Sequence, residues 1–162
     1  MTEIALHDLI DRASIADVVT HMVTSTDARD WADVRACFTE ELDLDYTSLN
    51  GGTPAHLQAD DLITQWQQTL NGFEATYHLL ANLLITTSGD EATCRAYVQA
   101  THLLQTTTGG PTWTLGGTYT FLLRKLQQGW KISSLTFTVK WANGNQQLVS
   151  LAQERARVSS KH

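Results

Sequence analysis

The apolar residues near the start of the chain recur at the interval of a helix. Between residues 6 and 23 they occur every three or four positions, which places them on one face of a roughly 3.6-residue repeat. We expect this stripe to be buried against the rest of the protein. The stripe consists of Leu6, Leu9, Ile10, Ala13, Ala16, Val19 and Val23. Asp27 lies four residues after Val23 and therefore continues the stripe with a carboxylate.

Capping residues and apolar spacing predict three further helices. Asp30 is a favourable N-cap for a short second helix over residues 31–38. A third helix is expected over residues 56–72, where a final Asn-Gly pair is a typical C-terminal cap. The spacing in residues 146–158 predicts a closing helix.

Alternating apolar and polar residues predict five strands, four of them long and separated by glycine-containing turns. The segments are 42–49, 74–87, 91–107, 112–126 and 129–142. Strands of this length require a strongly bent and twisted sheet. Helices followed by an antiparallel meander indicate an α+β fold, in which the curved sheet wraps around helices and leaves a cavity between them. We expect one domain over residues 1–162.

Charge and cysteine content restrict the partners and the compartment. Seventeen acidic residues against eleven basic ones give a formal charge of −6, so we expect neither nucleic acid nor an anionic membrane as a partner. No apolar run approaches the roughly 20 residues of a membrane-spanning helix. The two cysteines form no CxxC or Cys/His metal-binding spacing, which predicts free thiols, no metal site and a cytoplasmic protein.

Two histidines are predicted to face the interior of the sheet. His78 shares a strand face with the even-numbered residues 80–84, and His102 shares one with the mainly apolar even-numbered residues 96–104. A hairpin turn at residues 88–91 would pair positions 78 and 102 to within a residue or two. The two imidazoles would then be cross-strand neighbours, about 5 Å apart at Cβ.

A carboxylate at the end of a buried stripe requires a partner. An unpaired buried charge costs several kcal/mol, and an imidazole that faces the same cavity would offset that cost. Such a pair is also the arrangement of a general base with an orienting acid. However, Asp27 is equally suited to cap the turn before Asp30, and an inward histidine is often only a hydrogen-bonded core residue. The residue pattern leaves both interpretations open.

Several segments resemble the SnoaL-like branch of the NTF2-like superfamily. They are the Asp-x-x-Asp-Trp motif and following Asp-Tyr within residues 26–49, "YHLLAN", and "TYTFLLRKLQQGWKISSLTFTVKW". The resemblance extends from about Leu6 to Trp141 and implies an NTF2-like (cystatin-like) cone with an internal active site. Within the superfamily, the sequence is similar above all to the scytalone dehydratase and hexachlorocyclohexane dehydrochlorinase families. Both perform β-elimination with a histidine base held by an aspartate.

The resemblance also implies roles for individual residues. Asp27 matches the orienting acid, and His78 matches the base. His102 matches the second histidine of the dehydratases, which would act as an acid. Tyr46 matches a tyrosine that polarises a carbonyl. The other expected substrate-binding positions are Thr26, Tyr119, Lys140 and Met22. In those families the corresponding residues are a tyrosine, an asparagine, an arginine and a lysine, respectively. No metal or organic cofactor is implied.

The function implied by the resemblance is a cofactor-independent lyase of the dehydratase type. Its substrate would be a small apolar cyclic or aromatic compound. An isomerase or cyclase with the same base, or a non-catalytic ligand-binding or assembly module, remain alternatives. Because the relatives assemble through the outer face of the sheet, where we expect Leu79, Leu83 and Val139, a homo-oligomer is predicted, either a trimer or alternatively a dimer.

Overall fold

The computed structural model of the protein describes residues 3–159, which form five helices and six strands. The helices are α1 (Glu3–Ala28), α2 (Trp31–Ala36), α3 (Thr47–Asn50), α4 (Ala59–Leu70) and α5 (Leu148–Ser159). The strands are β1 (Phe38–Asp45), β2 (Ala55–Gln58), β3 (Ala75–Ser88), β4 (Glu91–Leu103), β5 (Thr112–Leu126) and β6 (Gly129–Gly144). Residues 1–2 and 160–162 lie outside this description, so a single domain over the whole chain stays a prediction.

The strands form one curved, unclosed sheet in the order β2-β1-β6-β5-β4-β3. β1 pairs with β6 in parallel, and every other neighbouring pair is antiparallel. The helices pack on the sheet, so the predicted α+β class is confirmed. None of the helices between residues 3 and 159 is long and apolar enough to cross a membrane.

The predicted strand over residues 42–49 is displaced in the structure. β1 begins at Phe38 and ends at Asp45. The carboxylate of Asp45 accepts hydrogen bonds from the backbone N and the hydroxyl of Thr47, at 2.9 and 2.7 Å, which turns the chain into α3.

The predicted start of the third helix is also wrong. Residues 55–58 pair with β1 as the short edge strand β2, and α4 begins only at Ala59. The segment 104–107, predicted to extend β4, leaves the sheet after Leu103.

A bulge in β3 changes which side chains face the interior. The ladder with β4 slips immediately before Leu84, and Asn82 has a φ of 54°, a left-handed conformation that asparagine tolerates. Residues 78 and 80 face inward as predicted, but Leu84 is 69% exposed. Leu83, predicted on the outer face, instead packs against the core.

Only the second half of the predicted stripe on α1 is buried. Val19 and Val23 are in the core together with Ile15 and Met22. The earlier residues of the stripe are about half exposed; they are Leu6, Leu9 and Ile10.

The first turns of α1 contact the sheet through acidic residues rather than through the apolar stripe. Asp11 accepts hydrogen bonds from Trp130 Nε1 at 2.9 Å and from Lys125 Nζ at 2.7 Å. Asp8 accepts one from the hydroxyl of Thr87. These polar contacts turn the apolar stripe away from the sheet at this end of the helix.

Asn71 is the C-cap of α4, and Gly72 after it is required by close packing rather than by a left-handed backbone. Asn71, which caps α4, is in the right-handed helical region with a φ of −65°. A Cβ on Gly72 would lie 1.8 Å from the backbone O of Ala152 in α5. Glycine therefore lets the two helices approach each other at this point.

We predict that Gly72→Ala destabilises the protein by about 1–3 kcal/mol, because the added methyl group forces α5 away from α4. The free energy of unfolding, measured in urea, checks this result. Gln68→Ala, at an exposed position of α4, is the control and should stay close to wild type. A Gly72→Ala variant as stable as wild type would show that this close packing contributes nothing.

Candidate active site

A cavity of about 480 Å³ lies between the inner face of the sheet and the helices. Its volume is in the range of sites that bind small molecules. The buried end is formed by α1 and by the central strands, with Met22, Ala100 and Tyr119 among the buried side chains. The outer end is bordered by α3, α4 and α5, so the cavity is open on the helical side.

Asp27 binds His78 through both carboxylate oxygens. Oδ1 accepts a hydrogen bond from His78 Nδ1 at 2.7 Å, and Oδ2 accepts one from the backbone N of the same residue, also at 2.7 Å. The two side chains are 18% and 10% exposed, respectively. Because Nδ1 donates to the carboxylate, a neutral His78 keeps its lone pair on Nε2. His78 lines the cavity, and this arrangement suits a base.

Thr76 also binds the Asp27 carboxylate, and Arg29 supports it through Thr76. The hydroxyl of Thr76 donates to Asp27 Oδ1 at 2.9 Å and accepts from Arg29 Nη1 at 2.8 Å. Arg29 Nη1 also donates to the backbone O of Thr26 at 2.8 Å. Since the guanidinium occupies the acceptor side of the hydroxyl, the Thr76 proton is directed at Asp27.

These contacts determine the charge of Asp27. Burial acts to raise the pKa of its carboxyl group, but the hydrogen bonds from the His78 side chain and backbone and from Thr76, with the charge of His78, outweigh burial. The net result is a pKa below the ordinary value. Asp27 is therefore ionised at neutral pH and can stabilise a protonated His78.

Arg29 occupies a backbone conformation that is unusual for its residue type. It follows α1 with a φ of 62°, in the left-handed region where glycine is the common choice after a helix. The side chain compensates by donating to Thr26 O at the helix terminus and to Thr76. Burial lowers the pKa of this guanidinium, and the charge of Asp27 opposes that shift.

His102 is a second imidazole at the buried end of the cavity, but its state differs from that of His78. The ring centroids of the two histidines are 6.0 Å apart, and the strand register pairs His102 with Thr76, two residues from His78. Nδ1 of His102 lies 3.2 Å from the backbone O of Trp113 and must donate to it.

The protonation state of His102 argues against the acid role implied by the resemblance. Burial, followed by the charge of His78, lowers its pKa to about 4. The ring is therefore neutral near pH 7, with its only proton on Nδ1. Nε2 of His102 is thus a hydrogen-bond acceptor and has no proton to give.

Two tyrosines form a hydroxyl pair on the cavity wall. Tyr46 OH donates to Tyr119 OH at 3.4 Å, so the proton of Tyr119 is available to another acceptor. Loss of hydration raises the pKa of Tyr46 well above its usual value and that of Tyr119 to about 12. Both phenols are protonated hydrogen-bond donors at neutral pH.

Thr26 and Met22 line the cavity as expected of substrate-binding positions. The hydroxyl of Thr26 donates to the backbone O of Met22 at 2.7 Å. Met22 is buried and contributes an apolar side chain to the cavity wall.

Lys140 does not belong to the cavity. β5 and β6 pair Gly116 with Trp141 and Gly117 with Val139, which leaves Lys140 as the additional residue of a bulge. Its side chain is exposed and is not among those that line the cavity. Val139, predicted on the outer face, packs against the core.

Thr76 and Arg29 were not found by sequence reasoning. Thr76 lies two residues before His78, so the strand period already placed both side chains on one face. Arg29 carries no such signal, because its contact depends on a left-handed residue that the sequence pattern does not indicate. Within residues 3–159, no group of three or more His, Cys, Asp or Glu is arranged to hold a metal ion.

The profile of the SnoaL-like domain matches residues 7–136, most of the chain. The chain belongs to the SnoaL-like family. No curated protein matches the sequence significantly. The family membership agrees with the resemblance drawn from the sequence motifs.

Solved structures share the fold of this SnoaL-like protein. The Kfla4162 protein of Kribbella flavida has a TM-score of 0.81 at 25% identity, covering 93% of this chain and 99% of that one. A Novosphingobium aromaticivorans protein provisionally described as a scytalone dehydratase has a TM-score of 0.71 at 21% identity, covering 86% and 90%. The LinA-type3 hexachlorocyclohexane dehydrochlorinase of Novosphingobium barchaimii has a TM-score of 0.70 at 17% identity, covering 88% and 94%. The predicted NTF2-like (cystatin-like) fold is confirmed.

The low pKa of His102 predicts a loss of stability in mild acid. The unfolded chain binds a proton at this residue below about pH 6.5, whereas the folded protein does so only below about pH 4. The free energy of unfolding should therefore fall by up to about 3 kcal/mol as the pH drops from 6.5 to 4.

Urea unfolding of wild type and His102→Asn at several pH values measures this effect. The Asn amide nitrogen replaces the Nδ1 donor but does not titrate, so the variant should lose most of this dependence. His21→Gln, at an exposed position of α1, should keep it. An unchanged dependence in His102→Asn would contradict the assignment.

Proposed function

We propose that this SnoaL-like protein is a cofactor-independent lyase that eliminates water from a small, largely apolar cyclic or aromatic compound. The observation that supports this most directly is the partly buried Asp27–His78 pair at a cavity of about 480 Å³. An ionised aspartate on Nδ1 fixes the tautomer and the orientation of the imidazole, as a general base requires.

In the proposed reaction, Nε2 of His78 removes a proton from a carbon next to an activating carbonyl. The electron pair of the C–H bond moves toward the carbonyl oxygen and forms an enolate. It then returns to form the C=C bond as the C–O bond of the neighbouring hydroxyl group breaks. Asp27 stabilises the imidazolium during this step. The phenol of Tyr119, whose proton is free because Tyr46 donates to it, stabilises the negative charge on the carbonyl oxygen.

The leaving hydroxyl needs a proton, and the neutral His102 has no proton on Nε2 to donate. We propose that the imidazolium of His78 returns the abstracted proton to the hydroxyl, which then departs as water. The acceptor Nε2 of His102 would hold the substrate hydroxyl in place through its O–H. One base therefore serves both proton transfers, and the atoms balance without another reactant.

The neutral His102 also favours isomerisation as a second candidate. The same imidazolium can return its proton to a different carbon instead of a leaving group. An isomerase product would retain the mass of the substrate, whereas a dehydratase product would be lighter by one water. A homo-oligomer through the outer face of the sheet, where Leu79 is exposed, stays a prediction.

Turnover of hydroxylated naphthalenones, followed by product mass, tests the proposed function. We predict that His78→Gln lowers kcat by about 10²–10⁴-fold, the usual contribution of a general base. Asp27→Asn should also lower kcat while the ligand still binds. His21→Gln is the control and should be unchanged.

Two results would contradict the proposal. Turnover that survives His78→Gln would show that another group removes the proton. Tight binding of these compounds with no His78-dependent conversion of any of them would favour the non-catalytic module.

A further inference from the structure

The walls of the cavity carry no carboxylate, ammonium or guanidinium group. Among the described residues that line it, none is Asp, Glu, Lys or Arg. The only titratable side chains there are His78, His102, Tyr46 and Tyr119. Because the protein as a whole carries a formal charge of −6, its field also disfavours the approach of an anion.

The buried end offers no lysine or arginine to pair with an anionic ligand. The nearby guanidinium of Arg29 donates to Thr26 O and to the hydroxyl of Thr76, and Arg29 does not line the cavity. Asp27 places a negative charge beside His78, and His102 is neutral. An anion bound there would lose its hydration without an ion pair to a lysine or arginine, which is unfavourable.

The outer end of the cavity is polar but also uncharged. We call this set of side chains the amide rim; its members are Asn50, Gln65, Thr69, Gln146, Ser150 and Gln153. All except Thr69 are exposed. Apart from Thr26 and the two histidines, the other lining side chains are apolar or aromatic.

The amide rim is organised by the two helices that border the opening. Gln65 and Thr69 are one turn apart on α4, and Ser150 and Gln153 are about one turn apart on α5. Gln153 Nε2 donates to Thr69 Oγ1 at 3.2 Å, which links the two helices across the rim. Amides both donate and accept, so this rim matches hydroxyl and carbonyl oxygens and gives no ion pair to a carboxylate or phosphate.

We propose that the cavity selects uncharged ring compounds that carry hydroxyl, carbonyl or amide groups at the end facing the amide rim, and that it excludes carboxylates and phosphates. This inference rests on the proposed function only in taking the cavity as the ligand site. Reactions that supply the substrate must therefore leave it without an ionised group at that end.

Isothermal titration calorimetry with two ligands of nearly equal size tests the selection without any turnover. The probes are 6-hydroxy-2-naphthamide, which is neutral, and 6-hydroxy-2-naphthoate, which carries a carboxylate at pH 7. We expect the naphthoate to bind wild type at least 10-fold more weakly.

Three variants separate charge from other effects. Gln65→Lys places a cation at the rim and should bring naphthoate binding to within about 3-fold of naphthamide binding. Gln65→Met, of similar length but uncharged, should weaken naphthamide binding and should not improve naphthoate binding. Gln105→Lys adds the same charge at an exposed position that does not line the cavity, and should preserve the wild-type preference. Thermal unfolding confirms that each variant is folded.

Equal binding of the two probes to wild type, or no binding of the naphthamide, would overturn the proposal. So would a rescue of naphthoate binding by Gln105→Lys as large as that by Gln65→Lys. Selective binding of the naphthamide without conversion of any substrate would leave the selection standing and refute the lyase, so the two failures are distinguishable.

Discussion

The structure depends on one partly buried carboxylate, which has to be hydrogen-bonded to remain charged. Asp27 ends the buried face of α1, and its oxygens accept from both the ring and the backbone of His78 on β3. Because the Asp27 carboxylate accepts from the backbone N of His78, it fixes α1 against β3. Because it also accepts from the ring, it fixes the orientation of the imidazole. The same contacts that make the burial of Asp27 tolerable therefore orient the base.

The two histidines show how neighbouring groups give one residue type two states in one cavity. His78 has an ionised partner on Nδ1, whereas His102 has only the carbonyl of Trp113. A neutral carbonyl stabilises an imidazolium much less than a carboxylate does, so burial dominates at His102 and lowers its pKa to about 4. Because of this difference, the proposed mechanism uses only His78 as a base, although the sequence pattern of the two histidines is similar.

The fold and the inward histidines were predictable because they follow from periodicity, whereas local deviations from it were not. The strand period placed His78 and His102 on inner faces, and the helix period ended at Asp27. The bulge before Leu84, the exposed Lys140 and the left-handed Arg29 interrupt those periods, and each depends on tertiary contacts. The Asn-Gly pair marked the end of α4, but the close packing of Gly72 against α5 was not predictable, because α5 is distant along the chain.

The tautomer and mobility of the His78 ring test the central claim most directly. Long-range ¹H–¹⁵N NMR of the labelled protein at pH 7 should show His78 protonated at Nδ1, with a downfield proton that exchanges slowly and disappears in Asp27→Asn. A His78 ring that carries its proton on Nε2 instead, or one that gives averaged signals typical of a solvent-exposed histidine, would contradict an aspartate-held base in this cavity.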